Sequence, residues 1–163
     1  IGAVRFEQVE YLRSILSLCK AVQLDPEAHE VQRNLERLLA VFQSVKEENL
    51  HLLARDIQES GVFEKREGGV QIKSEECAAQ ECTLAFQARL RNEEALFPFL
   101  ILGLAPDGSS FRPQQSSFDQ QAGVITLKID SKYAGERVRF IFPSCEQVFY
   151  ETVANLKDHT ESE

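Results

Sequence analysis

Between residues 28 and 52 one spacing persists without a fault. Ala28, Val31, Leu35, Leu38, Phe42, Val45, Asn49 and Leu52 follow one another by steps of three and four. This is a heptad pattern, with Ala28, Leu35, Phe42 and Asn49 at a and Val31, Leu38, Val45 and Leu52 at d. It constrains the chain more than any other feature, because a strand reverses face at every residue and cannot gather these positions on one side. A polar Asn at a single a position fixes register or strand number in a coiled coil at some cost in stability. Leu39, Val41 and Leu53 widen the apolar stripe beyond a narrow seam. Three arrangements satisfy it: a helical hairpin, a dimer through the long helix with an earlier helix alongside, or a helix laid on the chain's own core.

The stretch before it, residues 4–23, has helical spacing through Val9, Leu12, Leu16 and Cys19, widened by Phe6, Ile15, Leu18 and Val22. Asp25-Pro26-Glu27 separates the two. It spells a cap, a first-turn proline and an acidic residue at the positive end of a new helix, so the spacing predicts a helix from about 26. Gly61 is placed to end it.

After Gly61 the period changes. GVFEKREGGVQIK holds two short β-like pieces around Gly68-Gly69, which reads as a hairpin turn. CTLAFQARLR alternates, with Cys82, Leu84, Phe86, Ala88 and Leu90 on one face. LFPFLILGL is apolar on both faces, as in a central or helix-covered strand. Residues 105–122 are rich in Ser and Gln and read as a long polar loop. GVITLKID and ERVRFIF alternate as further strands. PSCEQVFYETVANLKD then carries Ser144 and Gln147 at capping-box spacing and a stripe of Cys145, Val148, Phe149, Thr152, Val153 and Leu156, which predicts a C-terminal helix.

The formal charge of −8 disfavours nonspecific binding to nucleic acid or anionic lipid, which wants a basic surface. No apolar run reaches the ~18 residues of a membrane-spanning helix. The chain has no Met, so it reads as a processed or excised segment, and no secretory leader is legible at its start.

Chemistry leaves little trace. Cys77 and Cys82 are separated by four residues, but zinc wants four ligands, and Cys19, Cys145, His29, His51 and His159 are scattered. Cys82 is in phase with Leu84 and Phe86, as a buried thiol would be. The cysteines therefore read as reduced thiols of an intracellular protein, cytoplasmic or nuclear. The sequence contains no GxSxG, HExxH, GxxxxGK or GxGxxG. The acidic pairs Glu47-Glu48, Glu75-Glu76 and Glu93-Glu94 stand in polar contexts that suit solvated surface. No catalytic, cofactor-binding or metal-binding residue is assigned, and no cofactor is expected.

These observations predict an α+β chain. Residues 1–60 form a helical, coiled-coil-competent part. Residues 61–163 form a small antiparallel domain, a meandering sheet covered by a C-terminal helix. The heptad 28–52, CTLAFQARLRNEEALFPFLILGL and VRFIFPSCEQVFYETVANL follow in an order that resembles the coiled-coil-plus-RWD subunits of kinetochore and monopolin complexes. The usual YPxxxP turn is replaced by FPFLILGLAP. The resemblance implies a non-enzymatic assembly subunit. It would form a homodimer or heterodimer through Val31, Leu35, Leu38, Phe42, Val45, Asn49 and Leu52, and bind a protein partner through its α+β domain. A pleckstrin-homology-like binding domain and a small acidic dimeric secretion chaperone are the alternatives.

Overall fold

The computed structural model describes residues 2–89, 96–97, 100–119 and 121–156, with side chains from residue 9 onward. Three helices come first: α1 (Gly2–Leu24), α2 (His29–Gln43) and α3 (Leu50–Glu59), the last preceded by a 3-10 turn at Glu47–Asn49. Among the described residues nine strands follow: β1 (Glu64–Arg66), β2 (Val70–Cys77), β3 (Glu81–Ala88), β4 (Leu102–Leu104), β5 (Ser110–Phe111), β6 (Gln115–Asp119), β7 (Val124–Asp130), β8 (Arg137–Pro143) and β9 (Val148–Asn155). They form a five-stranded sheet, β1-β9-β8-β4-β5, and a four-stranded sheet, β2-β3-β7-β6.

Two apolar cores define three layers. The first lies between the sheets, where Leu84 and Phe86 of β3, Ile125 and Leu127 of β7 and Phe140 and Phe142 of β8 meet, with Phe86 edge-on to both Phe140 and Phe142. The second lies between the helices and the other face of the five-stranded sheet. Leu12, Ile15 and Leu16 of α1, Phe42 of α2 and Leu53 and Ile57 of α3 pack there against Leu102, Leu104, Ile141 and Phe149. The strands β4, β8 and β9 thus lie between two apolar cores, which is why ILGLA shows no alternation. Ile101 and Ala105 join the first core while Leu102 and Leu104 join the second.

The expected single helix over 26–60 is broken, and no coiled coil forms. Asp25 does not cap it: its Oδ1 accepts the Glu27 N–H in a turn, and α2 begins three residues later than the proline suggested, at His29. At the far end the Ser44 hydroxyl donates to the Val41 carbonyl and Lys46 is extended, with ψ 150°. Such back-bonding by Ser competes with the helical ladder. Glu47 and Glu48 then open a new helical segment, where acidic residues complement the helix dipole.

The expected C-terminal helix is instead strand β9. Ser144 to Gln147 form the turn of the β8–β9 hairpin: the Ser144 N–H donates to the Val148 carbonyl, its hydroxyl accepts from the Glu146 N–H, and Gln147 has φ 66°. Val148 and Tyr150 face the inter-sheet core and Phe149 faces the helices. A strand buried on both sides can carry a stripe that also satisfies helical spacing, and Val, Phe, Tyr and Thr favour the strand. Among the described residues there is neither the coiled coil nor the closing helix that the expected order of heptad, meander and helix called for.

Two smaller expectations also change. The pieces flanking Gly68-Gly69 are not a hairpin: β1 runs parallel to β9, whereas β2 pairs with β3. Residues 105–122 contain β5 and β6, drawn in because Phe111 and Phe118 pack on the inter-sheet core. Leu90, Glu93, Glu94, Pro98 and His159 lie outside the described residues.

Candidate functional site

Where the helical layer meets the edge of the five-stranded sheet, a groove runs along α3 and β5. Three clefts of about 400, 890 and 290 Å3 share walls in sequence. Glu47, Lys132 and Tyr133 line both the first and the second, and His51, Gly108 and Ser110 line both the second and the third.

The helix side is built by the break in the heptad. Lys46, Glu47 and Glu48 come from the connection between α2 and α3, and His51, Arg55 and Glu59 from the exposed face of α3. The sheet side contributes Arg112 after β5, Lys132 from a 3-10 turn at Ser131–Tyr133, and Arg139 of β8. Both walls carry charges of both signs: Glu47, Glu48 and Glu59 with Lys46 and Arg55 on the helix side, and Arg112, Lys132 and Arg139 with Asp107 and Asp130 on the sheet side.

The floor is rigid. Phe111 and Tyr133 stack with ring centroids 3.9 Å apart and planes 16° from parallel. Gly103 makes room for them: a Cβ there would lie 2.3 Å from the Phe111 ring. Lys132 Nζ lies 5.2 Å from the Tyr133 ring centre, a cation–π contact. Burial pushes the Tyr133 phenol up, against the pull of Lys132, so it stays protonated at neutral pH. Arg112 donates from Nη2 to the Phe42 carbonyl, placing a cation at the C-terminal end of α2. Burial lowers the Arg112 guanidinium from its usual range, yet Arg remains charged.

The second cleft brings together Ser109, His51 and Asp107, the residue types of a hydrolytic triad, but in the wrong connection. The Ser109 hydroxyl and N–H both donate to Asp107 Oδ1, at 2.6 and 2.9 Å, and these bonds hold the carboxyl below its usual range. A carboxylate stabilised in that way is a weak base. Among the described residues no hydrogen bond joins His51 to either partner. The order Ser–His–Asp that would activate a nucleophile is absent there, and the motif is an Asx turn that shapes the tip between β4 and β5. Among the described residues no group of three His, Cys, Asp or Glu side chains is placed to hold a metal.

The heptad residues lie mostly inside the chain's own fold. Phe42 is fully buried, and Leu35, Leu38 and Val45 are partly buried against the second core. Val31 and Leu52 are half-buried, and Asn49 is exposed at the start of α3. α1 lies against α2 and covers part of the seam.

All four cysteines are paired, which corrects the reading of reduced thiols. Cys19 of α1 bonds Cys145 in the β8–β9 turn, and Cys77 bonds Cys82 across the β2–β3 hairpin. Chemical spacing alone hides the first pair, whose partners are 126 residues apart. The second pair flanks a turn: the Ala78 N–H donates to the Glu81 carbonyl, and Cys77 and Cys82 are direct neighbours across the hairpin.

The fold and groove define a class by form: a two-sheet β-sandwich with a helical layer over one sheet and a charged groove at their junction. Comparison with protein-family models, curated proteins and solved structures yields no match for this chain. No helix among the described residues is long and apolar enough to cross a membrane.

Proposed function

We propose that this chain is a non-enzymatic protein-interaction module that holds an extended segment of a partner protein in the groove between α3 and β5. The observation that carries this reading is the shape and lining of that groove. Small-molecule sites are enclosed and mostly apolar, with a few convergent polar groups. Here the clefts are joined end to end and lined by charges of both signs. Such a surface suits a polypeptide whose side chains alternate in charge, with acidic ones toward Arg112, Lys132 and Arg139 and basic ones toward Glu47, Glu48 and Glu59. Assembly through the helical seam is the weaker form of the proposal, because Leu35, Leu38, Phe42 and Val45 already pack within the chain. With the cysteines paired, the thiols no longer favour an intracellular location, since disulfides persist where conditions are oxidising.

A displayed library of random linear peptides tests the proposal. Enriched peptides should shift the amide resonances of Glu48, His51, Ser109 and Lys132. Lys132→Glu should change the charge pattern of the peptides selected. No enrichment, or shifts confined to another face, would refute the groove as a peptide site.

A further inference from the structure

Each sheet has two outer strands, and a free strand edge invites pairing with another chain unless something blunts it. Among the described residues three of the four edges are blunted. β1 has three residues, all charged, and β5 has only two. β2 is long but carries a bulge that leaves Lys73 out of register, and it turns Glu75 inward opposite Leu84, burying one carboxylate oxygen. Bulges, lysines and inward charges are the usual devices against edge pairing.

β6 has none of them. Its five residues, Gln115 to Asp119, pair with β7 without a register shift. Gln115, Ser116, Ser117 and Asp119 are exposed. Ser116 shares a face with Phe118, and Phe118 packs only partly on the inter-sheet core. The exposure of residues on both faces of the strand marks an open sandwich edge.

The sequence of β6 also fits itself. In an antiparallel pair centred on Ser117, Ser117 meets Ser117, Ser116 meets Phe118, and Gln115 meets Asp119. All five residues are then paired. An amide donor faces a carboxylate at each end, no like charges are opposed, and the half-covered Phe118 gains a neighbour. Centring on Phe118 leaves fewer residues paired, and centring on Asp119 opposes two carboxylates. We infer that β6 is a self-association edge: two copies of this chain pair antiparallel through Gln115–Asp119 about Ser117 and join their four-stranded sheets into one continuous sheet. The inference rests on the β6 edge and not on the peptide-groove reading.

Sedimentation equilibrium on the full chain tests it, together with variants at exposed positions that leave the core untouched. The wild type should show a monomer–dimer equilibrium. Gln115→Lys should tighten it and Gln115→Asp should loosen it, each by roughly two- to thirtyfold, because symmetry uses the altered pair twice. Ser117→Lys should abolish the dimer, by opposing two ammonium groups on the axis. Ser117→Cys should form a covalent dimer under oxidised glutathione far faster than Ser74→Cys, a control on the blunted edge of β2. A wild type that stays monomeric at the highest soluble concentration overturns the inference. So does a dimer that ignores the sign of the charge at position 115, or cross-linking no faster at 117 than at 74.

Discussion

Gly103 is the residue on which the groove floor depends. It sits on β4 opposite Phe111, and its missing side chain lets the Phe111 ring lie across the strand and stack on Tyr133. Gly103→Ala should cost about 1–3 kcal/mol, as overpacking of a close-packed site does. The displaced ring should carry Tyr133 with it. Combining Gly103→Ala with Phe111→Leu should cost less than the two changes separately, because the smaller side chain vacates the contested space. Urea unfolding of the three variants measures this; simple additivity would show that the ring is not what the new methyl meets. At this scale the sequence was partly legible. Alternation placed Cys82, Leu84, Phe86 and Ala88 in the core, where they are. It could not show that Gly103 faces an aromatic ring, since glycine in a strand has several causes, nor that Asp107, Ser109 and His51 share a cleft, since their convergence depends on how the helical layer docks.

Elements were legible where their period had one reading. α1, β3, β7 and β8 follow from spacing that only one regular structure satisfies. α2 and β9 failed for opposite reasons. The heptad runs through Ser44 because Phe42, Val45, Asn49 and Leu52 keep step, yet the chain turns there. The local signs were Ser44 three residues before Glu47 and the acidic Glu47-Glu48 pair, both marks of a helix start. What fixes the turn is remote: Arg112, beyond β5, takes the Phe42 carbonyl. Arg112→Ala should therefore loosen the end of α2 before anything else. The expected loss is about 1–2 kcal/mol, below the full range for a hydrogen bond to a charged group because Arg112 is only partly buried. Hydrogen exchange should quicken at Ser44 and Val45 while the sheet amides change no more than global stability requires. Exchange that rises equally everywhere would mean that α2 opens only with the whole molecule. For β9, burial on both faces erased the alternation that would have told strand from helix.

At the scale of the whole molecule, an apolar core, a covalent link and the Arg112–Phe42 hydrogen bond tie the helical layer to the sandwich. Cys19–Cys145 joins α1 to the β8–β9 turn, with both residues buried in the second core. It closes a loop across a sequence separation of 126, whereas Cys77–Cys82 closes one across five at the tip of a hairpin already held by its ladder. By chain entropy the long link is worth about 5 kcal/mol and the short one about 2 kcal/mol, with native packing able to reduce either. Alanine pairs are the suitable replacements, since serine would leave a buried hydroxyl to satisfy. Cys19→Ala with Cys145→Ala should therefore lower the urea midpoint far more than Cys77→Ala with Cys82→Ala. The loss should fall first on the helical layer: helical circular dichroism should decay before the near-ultraviolet signal of Tyr133 and Tyr150, which pack on the inter-sheet core. Coincident loss of both signals in the long-link variant would show that Leu12, Ile15, Phe42 and Leu53 hold the helices to Leu102, Ile141 and Phe149 without the disulfide. The helices and the sandwich would then unfold as a single cooperative unit.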